Sequence, residues 1–168
     1  PGPSLEQPTR RKKPKKTSNS NSDEAQKTLT DAIGCDEAFL ALFDEFICDH
    51  VAPWIKTQLI REGAATSEEE TVFYYQRPPT LRIQPGPSTR YVRPHNDAAY
   101  GHQDGELNFW MPLTDTQLTG TELWVESCPG KEDFAPLGVN FGEVAAFHGT
   151  YCKHYAPANP SSHTRVSL

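Results

Sequence analysis

Between Asp36 and Gly63 the large apolar residues recur at spacings of three and four. Phe39, Leu40, Phe43, Phe46, Ile47 and Val51 make one stripe, and Trp54, Ile55, Leu59 and Ile60 continue it beyond Pro53. That period predicts an amphipathic helix with Asp36 as its N-cap and Pro53 as an interruption. An earlier helix is expected from Ser22 or Asp23 to Gly34, whose residue type suits the left-handed turn past a helix end. After the acidic Glu68–Glu70 the pattern changes. Short β-rich runs follow at Thr71–Tyr75, Thr80–Gln84, Arg90–Arg93, Glu106–Leu113, Thr121–Glu126, Glu143–Phe147 and Thr164–Leu168. Turn pairs such as Asp104-Gly105 and Pro129-Gly130 separate them. Helices over 23–63 followed by strands over 71–168 predict one mainly β domain, a sandwich or jelly roll with its N-terminal helices on one face. The last run stops at Leu168 without turn or cap, so its strand is expected to be truncated.

Composition adds a tail to this domain. Residues 1–22 are rich in Pro, Ser, Asn and Lys, with Leu5 as the sole large aliphatic, and are expected to be disordered. Six basic residues between Arg10 and Lys16 against Glu6 give residues 1–16 a balance of +5, so the rest carries −11 of the net −6. An acidic body does not suit phosphate contacts, which argues against nucleic acid as a partner. The basic run has the form of a nuclear-localisation or anion-binding arm, although a solvated tail is the plainer reading. No apolar stretch reaches the roughly 20 residues that span a bilayer, so no membrane is expected. Cys35, Cys48, Cys128 and Cys152 form no C-x-x-C pair and read as reduced, mostly core thiols of an intracellular, cytoplasmic protein.

The candidate chemistry lies among the histidines. In a strand-to-loop stretch, residues i and i+2 point to the same side, so His95 and Asp97 can reach one metal. A histidine from a distant strand would complete a two-His-one-carboxylate triad, which leaves positions open on Fe(II) for a cosubstrate and O2. H-x-D alone is a weak signal, since His102-Gln103-Asp104 is a second instance. Asp104-Gly105, however, is a turn dipeptide that needs no metal. For the distal histidine, His154 is favoured over His148 by its spacing to Arg165. His50 and His163 read as a helix residue and a loop residue. Arg165 and Ser167 share a strand face and suit a carboxylate, which a guanidinium takes with two parallel hydrogen bonds. Strand alternation puts Asn108 and Trp110 on one side and Phe109 and Met111 on the other. Alternation leaves open which side faces inward; Asn108, a candidate cofactor contact, and Tyr91 and Arg93 are candidates to face the pocket, while Trp110 and Trp124 read as core.

In order along the chain stand His95-x-Asp97, Gly120-Thr-Glu-Leu-Trp-Val-Glu-Ser127, Gly142-Glu-Val-Ala-Ala-Phe-His-Gly149, and His154-x4-Asn159-x5-Arg165-x-Ser167. This combination, over roughly residues 80–168, resembles the phytanoyl-CoA-dioxygenase-like oxygenases. The stretch from His95 through Tyr100, His102 and Gly105-Glu-Leu-Asn-Phe-Trp110 to Pro112-Leu-Thr114 is most similar to their streptomycin-biosynthesis hydroxylase-like group. The resemblance implies a double-stranded β-helix, Fe(II), 2-oxoglutarate as cosubstrate, O2, and hydroxylation of a small molecule with release of succinate and CO2. It implies His95, Asp97 and His154 as metal ligands and Arg165, with Ser167, as the 2-oxoglutarate anchor. Two alternatives are a non-catalytic metal-binding β-helix protein and a cupin-type metalloenzyme that does not use 2-oxoglutarate. The absence of an H-x-H pair weakens the second.

Overall fold

A computed structural model describes residues 20–67 and 71–168. Residues 1–19, with the basic run Arg10–Lys16, and residues 68–70 lie outside this description. Helix α1 spans Ser20–Cys35, beginning slightly before the expected start and passing through Gly34. Helix α2 spans Glu37–Phe46, and the Asp36 carboxylate caps it by accepting the Ala38 and Phe39 N–H groups. Leu40, Ile47 and Val51 of the expected stripe are buried.

Pro53 does not break this segment. A π-turn over Ile47–Val51 joins α2 to helix α3, Ala52–Arg61, and Pro53 sits in the first turn of α3. A proline ring clashes with the carbonyl four residues back in an α-helix, and Pro has no N–H to donate to it. The π-turn shifts the ladder by one residue, as the Ala52 N–H bond to the Ile47 carbonyl records, so the helical segment continues through the proline.

The strands are short and antiparallel. They are β1 Arg82–Gln84, β2 Asn108–Trp110, β3 Trp124–Val125, β4 Ala135–Pro136, β5 Ala145–Phe147, β6 His154–Tyr155 and β7 Arg165–Ser167. A four-residue helix, α4, lies at Thr116–Thr119. The described residues thus form a mixed helix and strand structure with small sheets: β1 with β7, β2 with β5, and β3 between β4 and β6. Backbone bonds outside the strands link these pieces. Met111 and Leu168 exchange both N–H···O bonds, and Leu113 donates to Val166, so the chain after β2 continues along β7. Residues 92–97 run against 149–156 through Val92–Ala156, His95–His154 and Asp97–Gly149 bonds.

Two expected strands are absent. Thr71–Tyr75 has no ladder partner, and at Arg90–Arg93 the Val92 N–H bond to the Ala156 carbonyl is not extended into a ladder. Val72 and Tyr74 are 79% and 96% exposed, so their β-favouring side chains have no pleated surface to pack on. The cysteines also differ from expectation. Cys35, Cys48 and Cys128 are exposed and Cys152 is half-buried, all as free thiols.

The helices are pinned to the rest of the domain by specific side-chain contacts. Gln26 of α1 donates to the Leu81 carbonyl and accepts the Ile83 N–H at 3.0 Å, so its amide takes the place of a neighbouring strand along β1. Asp44 of α2 holds Arg77 Nε at 3.1 Å and the Tyr75 hydroxyl at 2.8 Å. Trp54 of α3 meets Phe109 edge-to-face at 5.8 Å. Trp110, on the opposite side of β2 as alternation requires, is buried, whereas Trp124 is half-buried. No helix among the described residues is long and apolar enough to cross a membrane.

Candidate metal centre

His95 and Asp97 are delivered by a strand-like stretch that turns into a short 3-10 helix, Asp97–Tyr100. Asn96, the middle residue of the H-x-D motif, caps that helix by accepting the Ala99 N–H at 3.2 Å. Gly101 ends it with φ of 90°, a conformation few other residues adopt. The third group, His154, begins β6 and pairs with His95 through two backbone bonds of 3.1 and 2.8 Å. Two residues 59 positions apart in sequence thereby meet, with ring centroids 4.5 Å apart.

The ligand-capable atoms converge. Asp97 Oδ1 lies 3.8 Å from His95 Nε2 and 3.5 Å from His154 Nε2. His95, Asp97 and His154 each offer one such atom, and all lie within 4.8 Å of one another. Among the described residues this is the one His/Cys/Asp/Glu group of that kind. The far ring nitrogens are taken by backbone carbonyls: His95 Nδ1 by Arg93 at 2.8 Å and His154 Nδ1 by Cys152 at 3.3 Å. A carbonyl only accepts, so each Nδ1 carries the proton and each Nε2 keeps its lone pair for a metal. Burial pushes the His154 imidazole below its ordinary pKa, against the pull of Asp97, which favours the neutral ligating form. Tyr100 stands edge-on to His95 at 5.3 Å and Phe147 to His154 at 5.2 Å, so aromatic rings flank both imidazoles.

The second H-x-D pair is organised differently. His102 Nδ1 contacts Glu106 at 2.9 Å, and this hydrogen bond raises its pKa. Asp104 is exposed in the turn with Gly105, whose φ is 83°. His148, His163 and His50 are exposed as well. His148 lies in the turn that brings the chain back to His154, and His50 packs on Phe46 of the same helical segment.

Asn108 touches the centre directly. Its Nδ2 donates to Asp97 Oδ2 at 2.8 Å, and its Oδ1 accepts the Gly149 N–H at 3.2 Å. Gly149 in turn accepts the Asp97 N–H at 2.8 Å. A Cβ at Gly149 would stand 2.6 Å from Asn108 Oδ1 and 2.7 Å from Asp97 Oδ2, so this position admits only glycine without movement.

Arg165 and Ser167 occupy one face of β7 and are 5% and 0% exposed. Arg165 Nε and Nη1 and Ser167 Oγ are buried without a hydrogen-bond partner. Burial alone pushes the guanidinium down to about 10. Buried donors are nearly always satisfied, and a buried cation without a counter-charge is expensive. This pair therefore fits an anionic ligand with acceptor oxygens, as a carboxylate has. Thr150, beside Gly149, has another buried hydroxyl without a partner.

Two further residues hold the ligands in place. Glu126, 2% exposed, accepts the Lys153 and Glu132 N–H groups at 2.6 and 2.9 Å and so fixes the strand start that carries His154. These backbone donors hold its carboxyl below the usual range. Asn159 is fully buried and donates to the Gln84 and His163 carbonyls while accepting from the Ser161 N–H and hydroxyl. It shapes the turn that delivers Arg165. Glu126 lies in the Gly120–Ser127 run and Asn159 in the His154–Ser167 run, but their roles depend on partners that sequence alone does not indicate.

No family model matches the chain. The streptomycin biosynthesis protein StrG of Streptomyces griseus is 31% identical over 120 residues, which cover 71% of this chain and 55% of that protein. The chain thus spans about half the length of this curated relative. Two solved structures also align. One is a non-heme monooxygenase, the ThoJ–Ni complex, at 21% identity and TM-score 0.44, covering 52% of this chain and 39% of that one. The other is the apo form of ThoJ, at 19% identity and TM-score 0.43, covering 52% and 42%.

Proposed function

We propose that the protein is a non-haem Fe(II)- and 2-oxoglutarate-dependent oxygenase. In this reading His95, Asp97 and His154 hold the metal, and Arg165 with Ser167 holds the far carboxylate of 2-oxoglutarate. The observation that carries it is the coexistence of two features in one small domain. Three ligand atoms converge within 4.8 Å, and a buried arginine–serine pair lacks partners for its donors. A metal triad alone suits many enzymes; a buried site for an anion supports one with a carboxylate cosubstrate. The small antiparallel sheets are read as parts of a double-stranded β-helix, with β6 and β7 contributing the distal histidine and the arginine. The likeness to StrG, named for streptomycin biosynthesis, supports a small biosynthetic molecule as substrate.

With iron and 2-oxoglutarate bound, such a centre supplies O2 activation coupled to decarboxylation, giving succinate, CO2 and an oxidised C–H bond in the substrate. The chain's own part is positional. The Arg93 and Cys152 carbonyls orient the two imidazoles, Asp97 contributes one negative charge, and Arg165 neutralises the far carboxylate while forming a two-pronged bond to it. The Phe147 ring covers the buried His154 imidazole and limits water there.

Titration with Co(II) alone, under anaerobic conditions, tests the metal assignment. One equivalent is expected to bind the wild-type chain. His95→Ala, Asp97→Ala and His154→Ala should each weaken binding more than ~100-fold, beyond the ~10–100-fold typical of outer partners. His102→Ala should leave it within about twofold, as expected of a side chain outside the ligand set. Equal Co(II) affinity in wild type and His95→Ala would remove the triad. Co(II) binding that depends on the triad, with no binding of 2-oxoglutarate, would favour a metal protein of another class.

A further inference from the structure

If His95, Asp97 and His154 hold a metal, as proposed, Asn108 gains a role of its own, and this inference rests on that reading. Asn108 closes a ring of hydrogen bonds: Asp97 N–H to the Gly149 carbonyl, Gly149 N–H to Asn108 Oδ1, and Asn108 Nδ2 to Asp97 Oδ2. The orientation of the amide is dictated chemically. A backbone N–H can only donate and an ionised carboxylate can only accept, so Oδ1 must face Gly149 and Nδ2 must face Asp97. The ring engages one carboxylate oxygen, Oδ2, and leaves Oδ1 toward the two Nε2 atoms at 3.5 and 3.8 Å. Gly149 makes the arrangement possible, because any Cβ there would lie within 2.7 Å of both partners.

An unrestrained carboxylate can ligate a metal through both oxygens and so take up a further coordination position. We propose that Asn108, held by the Gly149 N–H, is a positioning residue that confines Asp97 to ligation through Oδ1 and so keeps a coordination position open for cosubstrate or O2. Asn108 acts through Asp97 and not on the reacting atoms. A purely structural role, tying β2 to the turn at Gly149, would affect stability but not the way the metal is bound.

Co(II) distinguishes the two, since its visible absorption weakens as coordination number rises. Asn108→Ala and Asn108→Leu are compared with wild type for Co(II) affinity, Co(II) spectrum and thermal unfolding, so that one variant suffices if the other misfolds. The expected result is a weaker visible band per bound Co(II), with Co(II) still bound through the triad. An unchanged spectrum per bound Co(II), whatever the affinity, would overturn the proposal while leaving the triad intact. Unchanged Co(II) binding with loss of 2-oxoglutarate binding would also overturn it and make Asn108 a cosubstrate contact. A wild-type chain whose Co(II) binding does not depend on His95 would overturn the triad and this proposal together.

Discussion

Replacing Arg165 with methionine is expected to make the protein more stable and to abolish its binding of 2-oxoglutarate. Arg165 is 5% exposed, and its Nε and Nη1 donors have no partner. Burial pushes its pKa down to about 10. A lowered pKa on a cationic group means that folding penalises the charged form. The penalty is fully present at neutral pH and fades as pH rises above about 10. The shift corresponds to roughly 3 kcal/mol at ~1.36 kcal/mol per unit. Even buried ion pairs can be replaced by apolar residues with a neutral effect or a gain of about 1–4 kcal/mol, and Arg165 has no paired charge to leave behind. Arg165→Met is therefore expected to add about 1–3 kcal/mol to the unfolding free energy in urea at pH 7, with the gain over wild type shrinking above pH 10. The same change removes two charge-assisted hydrogen bonds to a carboxylate, at ~1.5–3 kcal/mol each, so 2-oxoglutarate affinity should fall more than ~100-fold. A variant that is less stable than wild type would mean that Arg165 serves the fold and not a ligand.

Gly149→Ala should have the opposite signature, losing stability and metal binding together. The new methyl group would meet Asn108 Oδ1 at 2.6 Å, Asn108 Cγ at 2.7 Å and Asp97 Oδ2 at 2.7 Å. All three contacts are closer than side chains tolerate. Neither neighbour can yield freely, because each is hydrogen-bonded to the other. Overpacking of this kind costs about 1–3 kcal/mol, occasionally more. Relief requires Asn108 and Asp97 to part, which displaces a metal ligand. We expect a fall in thermal midpoint and a loss of Co(II) affinity of ~10-fold or more. Wild-type Co(II) affinity in a destabilised variant would show that Asp97 does not need this support.

Parts of this arrangement were legible in the sequence for definite physical reasons. The apolar stripe from Phe39 to Val51 is a local, periodic signal, and Leu40, Ile47 and Val51 are buried as it requires. The i, i+2 rule anticipated that Arg165 and Ser167 would share a face, and both are buried on β7. Turn chemistry and spacing favoured His95, Asp97 and His154 over His102 and Asp104, and these are the three residues whose ligand atoms converge. Other features depend on long-range partners. β-favouring residues at Thr71–Tyr75 form no strand because a strand needs a neighbour, which composition does not supply, and at Arg90–Arg93 the Val92–Ala156 bond is not extended into a ladder. Pro53 reads locally as a break, yet a single extra residue in the preceding turn absorbs it. Gly149 and Asn159 carry no periodic signal. Their importance lies in contacts with Asn108, 41 positions away, and with Gln84, 75 positions away. Asn108 was legible as a residue near the site, but not its hold on Asp97.

The central claim is that His95, Asp97 and His154, together with Arg165, form one centre for Fe(II) and 2-oxoglutarate. Anaerobic titration of Fe(II) and 2-oxoglutarate tests it most directly, read by the weak visible charge-transfer band of the chelate. A band is expected in the wild type and in His102→Ala, and none in His95→Ala or Arg165→Met. A band that survives in His95→Ala but disappears in His102→Ala would transfer the centre to the second H-x-D pair. No band in the folded wild-type chain would contradict the oxygenase assignment.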